Sequence, residues 1–194
     1  MYELLHERKK IFSLKAFHTG DLVIFKQDSR LICRNNTMQQ LLISQYGAAL
    51  QMLKNAIEVC PEELWTANDL SHAFWKIAYH ALHFTNFYLS ENEHSFSPWP
   101  LHEPGNHQLQ QKEGRVYSHE ELLQLLQQTE QSLKTKLSLQ DMRASSGFEW
   151  LPMNKAELHL YNIRHLQHHV GQLVERLHYA GITGIRWVGR QELH

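Results

Sequence analysis

From Met38 onward the apolar residues recur at three- and four-residue steps in four separate stretches, and all five prolines fall outside those stretches. A helix turns ~100° per residue, so this spacing gathers the apolar side chains on one face, whereas a half-buried strand needs strict alternation. The first stretch, 38–59, carries Leu42, Tyr46, Ala49, Leu53 and Ile57, and Pro61 follows its end. The second, 69–90, runs through Leu70, Phe74, Ile77, Ala81, Phe84 and Tyr88, with Asn68 or Asp69 as the expected N-cap. In the third, Ser118 followed by Glu121 has capping-box spacing, and Leu122, Leu125, Leu126, Thr129 and Leu133 form its buried face to about Leu137. The fourth opens with Asn154 and Glu157 and runs to about Ala180, where Gly181 suits the C′ position. Four amphipathic helices with no strand between them predict an all-α chain folded as a four-helix bundle.

Two connections are long. Residues 91–117 hold Pro98, Pro100, Pro104, Gly105 and Gly114, and residues 140–153 end at Pro152. Loops of the first length are usually functional or mobile. Residues 1–37 read differently from the rest and are expected to be an appendage or extension of a domain spanning 38–194. Within them, Leu22–Phe25 and Arg30–Cys33 are β-prone runs around a turn-like Lys26–Ser29, so a weak hairpin is expected there.

Composition narrows the function. Nineteen Lys and Arg balance twenty Asp and Glu for a formal net charge of −1, which argues against a nucleic-acid binder. No apolar run approaches the ~20 residues that cross a bilayer, so no membrane partner is expected. Cys33 and Cys60 stand alone, without the paired spacing of a thiolate zinc site, and read as reduced thiols of a cytoplasmic protein. The outlying number is 15 histidines in 194 residues. Histidine is the commonest metal ligand, so their helical phase matters.

In the second helix, Ala73, Ile77, His80, Phe84 and Phe87 share a stripe, which turns His80 toward the bundle. His72, Lys76, Tyr79, His83 and Asn86 form a more polar stripe, which puts His83 nearer solvent or the rim. In the fourth helix the core stripe is Ile163, Leu166, Val170, Leu173 and Leu177. His169 lies ~60° to one side of Leu166 and His165 ~100° away on the same flank, while His168 falls nearly opposite. His165 and His169 are therefore an i, i+4 pair on one face, a spacing that lets two imidazoles converge on one ion. His80 would supply a third corner. A bare pair of this kind also arises by chance in a histidine-rich chain, and solvated or core-bonded histidines are the competing reading. His159 is read as such a non-ligand near an apolar face. Asn162 and Gln172 share the flank of the pair and are candidates for holding the ligand tautomers, as are His83 and Tyr79 beside His80.

The run Trp75–Phe84 with its inward His80, and the run Arg164–Leu173 with its HxxHHxGQL pattern, resemble the DinB/YfiT-like superfamily over residues 38–190, including the tail Gly184–Gly189. The resemblance implies a four-helix bundle in which His80, His165 and His169 bind one divalent metal ion, with Zn, Ni, Fe and Mn all open. It implies a homodimer, and a metal-dependent hydrolase or small-thiol transferase acting on a small-molecule substrate through an open coordination position. The alternative is a non-catalytic dimeric bundle, metal-stabilised or metal-free, serving as a stress or ligand-binding protein. No general base is evident: Glu157 and Glu175 share the outer face with His168, and Glu91, Glu93, His94, His102 and His107 lie in the 91–117 loop, which could cover the site. Trp75, Trp99 and Trp150 either line a pocket or close a core.

Overall fold

The computed structural model describes residues 29–67, 72–111, 114–191 and 193, with side chains from Met38 onward. It is all-α among the described residues: α1 (Ser29–Val59), α2 (Glu62–Trp65), α3 (Phe74–Tyr88), α4 (His119–Leu139) and α5 (Lys155–Tyr179), with a single 3-10 turn at Glu93–Ser95. The four long helices close a ring in which α1 packs on α4 and α5, and α3 packs on the same two. Leu42, Tyr46, Ala49, Leu53 and Ile57 of α1 meet Ile77, Ala81, Leu126, Leu133, Leu166, Val170 and Leu173 in one buried cluster. Each leucine removed from water here contributes roughly 1.5–3 kcal/mol.

Both sequence-read caps on the later helices are present. Ser118 Oγ accepts from Glu121 N (3.2 Å), and Glu121 Oε2 accepts from Ser118 N (2.9 Å). Asn154 Oδ1 accepts from Glu157 N (2.9 Å). At the far end of α5, Gly181 has φ +82°, and its N–H and that of Ile182 donate to the carbonyls of His178 and Leu177. That is a Schellman stop, which needs the left-handed residue glycine supplies at little cost.

Two boundaries differ from the sequence reading. Helix α1 begins at Ser29, so Arg30–Cys33 is helical backbone rather than the second strand of a hairpin. Residues 22–25, the other strand, lie outside the described residues. A β-prone tetrapeptide is overridden once it can extend a helix that is already nucleated, since each added residue then gains a hydrogen bond at low cost. Helix α3 starts at Phe74, with Ala73 extended at the cap position, several residues after the expected start at 69; Asn68 and Asp69 lie outside the described residues.

The connections are tied down by buried polar groups. Lys155, 3% exposed, donates from Nζ to the carbonyls of Ser90, Glu91 and Ser146. It thereby joins the end of α3 to the 140–153 loop. There Gly147 has φ +83°, and a Cβ at this position would collide with the Glu91 carbonyl. The tail turns back over α1: Gln191 N donates to Ser44 O, Gln45 Nε2 donates to Gly189 O, and Leu193 rests against Gly47. No helix among the described residues is long and apolar enough to cross a membrane.

Candidate metal centre

The packing of α3 against α5 brings His80, His165 and His169 together. His165 Nε2 lies 3.2 Å from His80 Nε2 and 3.1 Å from His169 Nε2. Two nitrogens each ~2.1 Å from one ion are ~3.0 Å apart at a right angle and ~3.4 Å apart at the tetrahedral angle. His165 is thus already at the separation a shared ion imposes from both of the others, and one nitrogen from each of the three rings lies within 4.8 Å of the rest.

The far nitrogens decide where the protons sit. His80 Nδ1 donates to the carbonyl of His107 (2.6 Å), and His169 Nδ1 donates to Gln172 Oε1 (2.7 Å). Each neutral ring carries one N–H, so Nε2 of both is left as a bare lone pair. His165 can place a proton between itself and one of them but not both. Its Nδ1 is buried without a hydrogen-bond partner, so its tautomer is the one the protein leaves open. Burial, with smaller contributions from the neighbouring histidines, pushes His80 down to about 3 and His165 to about 4, and lowers His169 as well. All three are neutral near pH 7, the form that donates to a metal. Three convergent imidazoles, two with oriented tautomers, fit a borderline divalent ion.

The other residues singled out in the sequence divide. Gln172 holds His169 as described. Asn162 is fully buried but donates to the carbonyl of Thr85 (3.0 Å), linking α5 to α3 without hydrogen bonding to the three histidines. His168 is exposed, as its phase requires. His159 is buried and bonded to Tyr46 Oη and Gln140 Oε1, a core histidine. Trp75 closes the core, Trp99 packs against its edge and Trp150 is exposed. Cys60 is buried beside Pro61, and burial lifts its thiol to about 12.

Tyr79 and His83 depart from the expectation. Neither is solvent-facing, and neither hydrogen bonds to His80, His165 or His169. Tyr79 is fully buried and His83 is 8% exposed, because the 91–117 loop crosses the stripe that was read as polar. Lys76 on the same stripe is buried too, its Nζ donating to Gln111 O in that loop. The loop is held by Asn106, whose side chain donates to Arg115 O and accepts from Gly114 N, and by Tyr117 Oη, which donates to Leu101 O and accepts from Glu103 N. His102 and His107 are thereby brought onto His83. The donor atoms of these three lie within 4.8 Å of one another, a second group with the ligand types and spacing of a metal site.

A groove of about 990 Å³ runs between α3, α4 and the 90–100 and 139–147 segments. It is lined by Tyr79, His83, Phe96, Trp99 and Lys155, and by none of His80, His165 or His169. The chain matches no protein-family model, no curated protein and no solved structure.

Proposed function

We propose that the chain is a DinB/YfiT-like four-helix bundle that binds one divalent metal ion through His80, His165 and His169. The carrying observation is that His165 Nε2 lies 3.1–3.2 Å from the Nε2 atoms of His80 and His169, both of which have the opposite nitrogen already committed to an acceptor. A histidine serving only the core ties both ring nitrogens to other groups, as His159 does with Tyr46 and Gln140. The resemblance of the Trp75–Phe84 and Arg164–Leu173 runs supports the same three residues.

A three-histidine site leaves a coordination position over, and a bound divalent ion there supplies a Lewis acid open to a small oxygen or sulfur ligand. That supports a metal-dependent hydrolase or small-thiol transferase. In this reading the residues of the chain orient and neutralise: His107 O and Gln172 fix two rings, and burial keeps all three uncharged.

One observation favours the non-catalytic reading. The groove that could take a substrate reaches His83 and not the three histidines, and neither close-set group of ligating side chains among the described residues includes a carboxylate. The test separates the two. Protein purified without a histidine tag should contain one ion per chain at this site, lost in His80→Ala and His165→Ala. Stoichiometric metal persisting in both variants refutes the assignment. In Co²⁺-substituted protein, a small thiol or carboxylate should shift the visible bands; bands indifferent to every such ligand remove the enzymatic reading. Sedimentation of the same samples checks the expected homodimer.

A further inference from the structure

We propose that His83, His102 and His107 form a second site for a borderline divalent metal ion, between α3 and the 91–117 loop. Three independent observations carry it. The first is the donor set: three imidazoles offering one nitrogen each within 4.8 Å, with no charged side chain in the group. A shared ion needs those nitrogens ~3.0–3.4 Å apart. The adjustment is roughly 1.5 Å, within reach of ring rotation and a small shift of the loop.

The second is an unsatisfied atom. His107 Nδ1 is buried and has no hydrogen-bond partner. A buried polar atom left so costs ~1–3 kcal/mol. A bound ion removes that cost when Nδ1 is the lone pair. For this the proton sits on Nε2, and the Gln108 side-chain amide, whose Nε2 lies 3.4 Å from that atom, must turn over. The amide then presents its oxygen there. His102 is prepared in the same sense: its Nδ1 is 2.6 Å from Tyr79 Oη. With Nδ1–H donating to the phenol oxygen, His102 Nε2 is the free donor. The rings of His83 and His107 stack at 4.4 Å, and His102 is 5.2 Å from each.

The third is access. His83 and Tyr79 line the groove, so an ion at this group would face a cavity of about 990 Å³. Lys136 and Lys155 lie in the same lining. Burial lowers the pKa of all three histidines, His83 to about 3, which keeps them in the donor form.

The two groups are neighbours. Phe84 packs on His80 and His165 of one and on His83 and His107 of the other. His107 serves both, its carbonyl accepting from His80 and its ring belonging to the second group. The second site does not depend on the first being filled, so the test keeps their failures apart.

Metal-free full-length protein, without a tag, is titrated with Co²⁺ and separately with Zn²⁺, and bound metal is counted by elemental analysis after equilibrium dialysis. The unmodified chain should take two ions. His102→Ala and His107→Ala should take one each, with unchanged helical circular dichroism. His165→Ala should also take one, so that the double variant His102→Ala/His165→Ala takes none. If the unmodified chain takes a single ion that His165→Ala loses and His102→Ala keeps, the second site is refuted and the first stands. If a single ion is lost in His102→Ala and kept in His165→Ala, the second site stands and the first is refuted. Should His107→Ala fail to fold, His102→Gln carries the comparison, because the His102 ring is only partly buried and glutamine keeps a polar side chain facing the Tyr79 hydroxyl.

Discussion

Acid should weaken this fold through His159, and the size of the effect follows from its surroundings. The ring is 0% exposed, accepts from Tyr46 Oη at Nδ1 (3.0 Å) and donates from Nε2 to Gln140 Oε1 (2.7 Å). Burial, with a smaller push from the Lys155 charge, lowers it from 6.5 to about 4. Between those two values the unfolded chain binds a proton that the folded chain refuses. Stability is therefore complete above pH 6.5 and is lost as pH falls toward 4. At ~1.4 kcal/mol per pH unit, the interval amounts to ~3 kcal/mol. Other buried histidines titrate in the same range, so the assay must isolate this one. Urea unfolding of metal-free protein at pH 7.5, 5.5 and 4.2 is compared between the unmodified chain and His159→Gln. Distant contributions cancel in the difference. At pH 7.5 the variant should be less stable by ~1–2 kcal/mol for its imperfect hydrogen bonds. By pH 4.2 that deficit should have closed or reversed, a relative change of ~3 kcal/mol. A difference independent of pH would show that His159 titrates normally in the folded state and is not sealed in the core.

Three further outcomes are expected. Gln172→Leu should weaken the ion held with His169 by ~10–100-fold, read by competition with a chromophoric chelator, because the Nδ1–H of His169 loses its acceptor; unchanged affinity would mean that Gln172 does not orient the ring. Lys155→Met should cost ~2–4 kcal/mol in urea unfolding, since three backbone carbonyls lose their shared donor; a loss under ~0.5 kcal/mol would show that water replaces it. Gly147→Ala should lower stability by ~1–3 kcal/mol, combining the positive φ with the collision against Glu91 O, and a neutral thermal melt would contradict the tight approach of the two loops.

What was legible in the sequence is what a helix repeats. Leu42, Tyr46, Leu53, Leu126, Leu166 and Val170 are buried where their period puts them, and the same arithmetic brings His80 against His165 and His169. His83 was misplaced because phase reports only which way a side chain leaves its helix, not what lies over it. The stripe Lys76, Tyr79, His83 looks like a wet face until Asn106 and Tyr117 fold the 91–117 loop across it. His102 and His107 carry no period of their own, so nothing in their spacing pairs them with His83. Three prolines and Gly105, at φ +90°, bend the segment around them, a hint of ordered structure but not of its target. The start of α1 escaped for the opposite reason: a run of strand-forming residues, Leu31–Cys33, is carried into a helix that tertiary contacts stabilise further along.

The carbonyl of His107 implies an order in time. His165, His169 and Gln172 are within eight residues of one another and take their positions as soon as α5 forms. His80 arrives with the docking of α3, yet its ring is free to flip until the loop lays residue 107 against it. The contacts that hold the loop on α3 are non-local and must first pay the entropy of ordering the segment, so they form after the local turns of the helices. A folding chain should therefore pass through a stage with three convergent rings and one of them unoriented, and rapid-mixing experiments should find metal uptake lagging behind the recovery of helical signal.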